Sequence, residues 1–152
     1  MKTISNQIIR SFEPCYDPTE KNIPDNEELT VVEWVEKYRA VVPAEDILWL
    51  LCRNEFLSDR DLRLFAVWCA REALKLVEEP DPRSVEACNV AERFANGEAI
   101  QEELSAARDA ARDAARAAAW DAAWAAASDA AWAAARDAAR DAQLNNLLTY
   151  FV

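Results

Sequence analysis

From Leu104 to Leu148 every fourth position is set apart from its surroundings: Leu104, Arg108, Arg112, Arg116, Trp120, Trp124, Ser128, Trp132, Arg136, Arg140, Leu144 and Leu148. Asp follows many of them, at Asp109, Asp113, Asp121, Asp129, Asp137 and Asp141, and alanine fills most of the remainder. Alanine is the best helix former, and neither Gly nor Pro occurs after Ile100, so this pattern predicts a helix from about Gln101 to the Leu147 region. A strict period of four advances about 40° per step on a helix of 3.6 residues per turn. The stripe therefore winds, which places the arginines on one side of a straight helix and Trp120, Trp124 and Trp132 on the other. Unbroken, such a helix runs roughly 60–70 Å at 1.5 Å per residue. Ser128 with Asp129 is the one internal N-cap candidate, and the alanines around it contain no turn residue, so a continuous or gently curved helix is expected.

Upstream, apolar positions at helical spacing alternate with capping signals. Residues 1–26, with Pro14, Pro18 and Pro24, read as an irregular N-terminal arm holding at most a short ordered piece at Ile8 and Ile9. Residues 27–152 read as a single helical domain. Thr30 to Glu33 is a capping box that opens a helix through about Arg39. Pro43 suits the first turn of a second helix reaching Cys52. Ser58 with Asp61 starts a third, whose Leu62, Phe65, Trp68, Cys69, Leu76 and Val77 mark one face as buried. Asp81 and Pro82 cap a fourth, carrying Val85, Cys88, Ala91, Phe94 and Ala95, and Gly97 ends it at the position just past the cap. The fold class expected is all-α: a bundle of about five helices with a long alanine-rich C-terminal helix. Leu144, Leu147, Leu148, Tyr150 and Phe151 form an apolar tail expected to return to the core.

Composition narrows the function classes. The chain has one glycine, which argues against β-rich or α/β designs that need tight turns and phosphate loops. It has no histidine, so neither a Ser-His nor a Cys-His nucleophile pair can be assembled, and the expectation is a protein that is not an enzyme. Carboxylate clusters such as Asp59 with Asp61 sit at helix ends, where capping explains them. The four cysteines lack a CxxC spacing; no metal site and no cofactor is expected, and Cys52, Cys69 and Cys88 read as buried thiols. With no apolar leader and no spanning segment, the expected setting is the reducing cytoplasm, without a membrane role. The formal charge is −11, and residues from Ala106 onward carry five Arg against six Asp, so almost all the excess acid lies before them. That balance disfavours direct nucleic-acid binding and suits a basic protein partner.

Two internal runs, Asp61 to Leu74 and Ala91 to Ala99, lead through Glu102, Glu103 and Leu104 into the alanine repeat. Together with the close at Ala142, Gln143, Leu144, Leu147, Leu148 and Phe151, they resemble an alanine-rich helical family of bacterial and phage immunity proteins. The likeness covers roughly residues 44–152, and Ile100 stands where a capping Thr or Ser is expected. The resemblance implies a stoichiometric inhibitor that neutralises a protein target, either a basic toxin or a nucleic-acid-binding effector. Candidate partner-binding residues are Trp120, Trp124 and Trp132, with the acids Glu27, Glu28 and Glu36 steering a basic target. The same surface physics serves a phage anti-defence protein such as an anti-CRISPR. A different class, a self-assembling homo-oligomer, would bury the tryptophan face and the C-terminal leucines between copies.

Overall fold

The computed structural model describes residues 2–122 and 129–152, with side chains described over 2–115 and 136–152. Among these residues the chain is mostly helical, with seven α-helices and one two-stranded sheet. The expected count of about five helices is corrected on one point: a further short helix forms within the N-terminal segment. The alanine repeat is described as α6 (Gln101–Ala122) and α7 (Asp129–Leu148). Whether the repeat continues unbroken near Ser128 lies outside the described residues. No described helix is long and apolar enough to cross a membrane.

The chain divides into two compact units, Met1–Leu57 with Ala135–Val152, and Ser58–Ala134. In the first unit, residues that read as an irregular arm carry regular structure. Strand β1 (Thr3–Ser5) pairs antiparallel with β2 (Glu28–Thr30), Ile4 opposite Leu29. Ser5 then caps α1 (Asn6–Ser11) by accepting from the Ile8 N–H at 3.4 Å. Asn6 is fully buried and donates to the Ile23 carbonyl at 2.7 Å and to Asp25 at 3.0 Å, which ties the loop back onto the helix. Arg10 adds ion pairs to Asp17 and Asp25. Ile4, Ile9 and Ile23 are core residues. Only Ile8 and Ile9 had marked this segment as ordered; the prolines masked the rest, because they stand at the start of turns instead of inside elements, as Pro18 does in the 3-10 turn Pro18–Lys21.

The capping box forms as read. Thr30 accepts from the Glu33 N–H while the Glu33 carboxylate accepts from the Thr30 N–H at 3.0 Å, opening α2 (Val31–Tyr38). Helix α2 buries Val31, Trp34, Val35 and Tyr38, and α3 (Ala44–Leu51) buries Ile47, Leu50 and Leu51. Pro43 is the N-cap of α3, one residue before the first turn in which it was expected. The C-terminal part of α7 completes this core with Leu144 and Leu147, 1% and 0% exposed. Arg39 donates to Asn145 at 3.2 Å, and Arg140 pairs with Glu45.

In the second unit, Ser58 caps α4 (Asp59–Leu74) by accepting from the Asp61 N–H at 3.1 Å. Asp81 caps α5 (Pro82–Ala95), and Gly97 follows the end of α5 at φ +77°, a backbone state that favours glycine. Helix α6 begins after Ile100, which has no side-chain oxygen to cap it. Glu103 provides the other half of a capping box, its carboxylate accepting from the Ile100 N–H at 2.9 Å. Two expectations of burial are corrected. Leu76 and Val77 are exposed, because the chain leaves α-helical phase after Leu74 in tight turns from Ala73 and Leu74. Cys52 is exposed as well, since it is the C-cap of α3 and faces outward; Cys69 is half-buried and Cys88 buried.

Full burial of a leucine contributes about 1.5–3 kcal/mol. Leu147→Ala is therefore expected to cost about 2–5 kcal/mol in the urea unfolding free energy, from lost transfer energy plus the cavity left behind. Leu148→Ala, at a half-buried position, should cost clearly less. Equal small losses at both positions would show that the C-terminal helix is not seated in the core.

Candidate functional site

The residues nominated from sequence meet different fates. Trp120 and Trp132 belong to α6 and α7 by backbone, but their side chains, and Trp124 entirely, lie outside the described residues. Glu27 is held within its own unit: it pairs with Lys37 and accepts from the Tyr38 hydroxyl. Those two donors hold its carboxyl below the ordinary glutamate range, the Lys37 bond contributing most. Glu28, on β2, accepts from the Thr3 hydroxyl at 2.6 Å. Glu36 stands exposed on α2 and is the acid of the three most open to a partner. The structure places all three in the first unit, yet it spends Glu27 on internal order.

The feature that sequence reading did not isolate lies in the second unit. Helix α5 packs against both α4 and α6. The layer is tied by Arg71 donating to Glu92 at 2.6 Å and to Asn89 at 3.2 Å, by Arg60 to Asn96 at 2.8 Å, and by Arg93 to Glu103 at 2.9 Å. Between these helices runs an open groove of about 760 Å³, within the range of specific binding clefts. Alanine is the commonest residue of its walls: Ala66, Ala70 and Ala73 from α4, Ala87 and Ala91 from α5, Ala111 and Ala115 from α6. Leu62, Val67, Leu74 and Leu104 add larger apolar surface, and Cys88 lies buried at the α5 side, its thiol pKa pushed up by burial.

Charge enters the lining at three residues, Asp59, Arg63 and Arg108. Elsewhere in this unit the described cations are matched: Arg60 with Asp61, Arg71 with Glu92, Lys75 with Glu72, Arg83 with Asp81, Arg93 with Glu103, Arg112 with Asp109. Arg63 and Arg108 have no acidic partner among the described residues; Arg63 stacks on Phe94 at 4.7 Å. The signal for Arg108 was present in the sequence. Arg112 has an acid three residues before it, Asp109, and pairs with it at 3.7 Å, whereas the positions three and four before Arg108 are Ser105 and Leu104. For Arg63 no such signal existed, because the acid four residues earlier, Asp59, lines the groove without bonding it.

Among the described residues no group of three His, Cys, Asp or Glu side chains is set to hold a metal ion. The groove offers an apolar trough edged by two arginines and one aspartate.

The Glu27 contacts carry a pH dependence. A carboxyl whose pKa is lower in the fold than in the unfolded chain stabilises the fold above its unfolded value and loses that contribution as pH falls through the folded one. Glu27→Gln should therefore melt below wild type at neutral pH, and the two melting temperatures should converge in strong acid. A constant gap across the pH series would exclude the carboxylate as the cause.

No protein-family model matches this chain, and comparison with curated proteins and with solved structures gives no match.

Proposed function

We propose that the protein is a non-enzymatic inhibitor that neutralises a protein target by stoichiometric binding, in the manner of an immunity protein. The observation that carries this reading is the open alanine-lined groove of the second unit, with Arg63 and Arg108 beside it lacking an acidic partner among the described residues. A chain that matches its other described cations in that unit to acids, yet leaves two unmatched along an apolar trough, is built to receive groups from outside. The overall charge of −11 supports the same reading at longer range, because it accelerates encounter with a basic toxin or nucleic-acid-binding effector. Exposed Glu36 contributes to that field on the first unit. The tryptophans Trp120, Trp124 and Trp132 supply the residue type that most often anchors such interfaces. The resemblance of the Asp61–Leu74 and Ala91–Ala99 runs to bacterial and phage immunity proteins points to the same class, in a cytoplasmic setting.

The test is affinity capture from nuclease-treated native lysate, with the bound fraction identified by mass spectrometry and its mass ratio measured. Wild type is expected to retain one protein at fixed stoichiometry, and a Trp120/Trp124/Trp132→Ala variant of unchanged helicity should lose it. Retention of the protein itself alone would sink the inhibitor reading and leave self-assembly.

A further inference from the structure

Given the inhibitor reading above, on which this inference rests, the groove has features that specify its occupant. We infer that it receives an amphipathic α-helix of the target, whose apolar stripe is bordered by carboxylates that pair with Arg63 and Arg108.

Shape comes first. Helices pack at 8–10 Å between axes, closest where the facing side chains are small. A helix laid over α5 between α4 and α6 would meet alanine on all three sides. Along α6 the lining runs from Leu104 to Ala115, roughly 16 Å or about three helical turns. That length suits recognition of a helix through apolar anchors at successive turns. A long-chain fatty acid is the competing occupant. Small-ligand sites enclose about 70–90% of the ligand, whereas the wall residues Ala66, Ala70, Ala73 and Ala115 are exposed, so an acyl chain here would stay largely in water.

Charge fixes the anchors. The lining carries two arginines against one aspartate, a local excess of positive charge on a strongly acidic chain. Each guanidinium can make charge-assisted hydrogen bonds to an incoming carboxylate that its own chain does not provide. At the other end of α4 from Arg63, Val77 closes the lining and is followed by the exposed acids Glu78 and Glu79. The complementary helix is therefore acidic beside Arg63 and Arg108 and basic beyond Val77. Net charge brings a basic target in, and the groove selects the acidic end of one of its helices.

The probe is a displayed library of helices about four turns long, with leucine and alanine fixed along one face and the bordering positions randomised. Selection on the full chain is expected to enrich Asp and Glu at one end of the stripe. The enriched peptide, measured by fluorescence anisotropy, should bind Arg63→Glu/Arg108→Glu at least tenfold more weakly than wild type. Its Glu→Lys form should recover binding to that double variant. Arg108→Glu alone, at an exposed position that touches no described acid, gives the same direction of effect without disturbing the Phe94 stack. Selection of no peptide, of peptides indifferent to both variants, or of basic residues at the Arg63 end overturns the inference. So does saturable binding of laurate that the peptide cannot displace. Failure here is separable from failure of the inhibitor reading: a captured target whose binding ignores both arginine variants leaves inhibition standing and removes the groove. Selected peptides without any captured target do the reverse.

Discussion

Alanine supplies helix without volume, and much of this molecule follows from that. The residue has the highest helix propensity and no side-chain entropy to lose, so α6 and α7 need little tertiary help to be helical. The same small side chain buries little apolar area and cannot fill space between neighbours. Over the described side chains of α6, Leu104 and Ala114 are the core residues. The helix therefore seats on α5 at close range and leaves the space between α4 and α6 open. A leucine-rich helix at the same place would close the groove with its own side chains.

The first unit shows the opposite solution. It concentrates large side chains, with Trp34, Ile47, Leu51, Leu144 and Leu147 all essentially fully buried. The N-terminal strand and helix are held by a buried asparagine, by Arg10 between two aspartates, and by the pairing of Ile4 with Leu29. The leucines at the end of the alanine repeat belong to this core, which is why the repeat closes in large apolar residues. Polar side chains here mostly serve local order: Glu33 closes the capping box, and Glu27 gathers Lys37 and Tyr38. A carboxylate spent in this way has little left for a partner, which separates Glu27 from Glu36 although the two look alike in sequence.

The electrostatics act on two length scales. Acid dominates the chain as a whole, and a field of that sign acts over distances of a Debye length, about 8 Å at physiological salt. Inside the groove, what matters is the hydrogen-bond inventory of individual guanidinium groups at contact range. The two scales can favour opposite signs without conflict, because the long-range field governs encounter and the contact pairs govern residence.

How much was legible in sequence follows the range of the interactions. Caps are local, so Thr30 with Glu33, Ser58 with Asp61, Asp81 with Pro82, and Gly97 each marked a helix end from neighbouring residues alone. The helical character of the alanine repeat is equally local, and so is the lack of an acid three or four residues before Arg108. The burial of Leu144 and Leu147 was readable from pattern. The ordering of residues 2–26 was not, because it depends on Asn6 meeting Ile23 and Asp25 and on Ile4 meeting Leu29, contacts between positions far apart in the chain. The exposure of Leu76 and Val77 turned on where α4 stops, and no Pro or Gly announces that end. Sequence by itself determined that the chain is helical, acidic and without histidine, since those properties reside in residue types and their spacing. Only the tertiary structure decided that three helices would leave an alanine-walled groove with two arginines that meet no acid among the described residues, since a cavity and its lining are defined by which surfaces packing brings together.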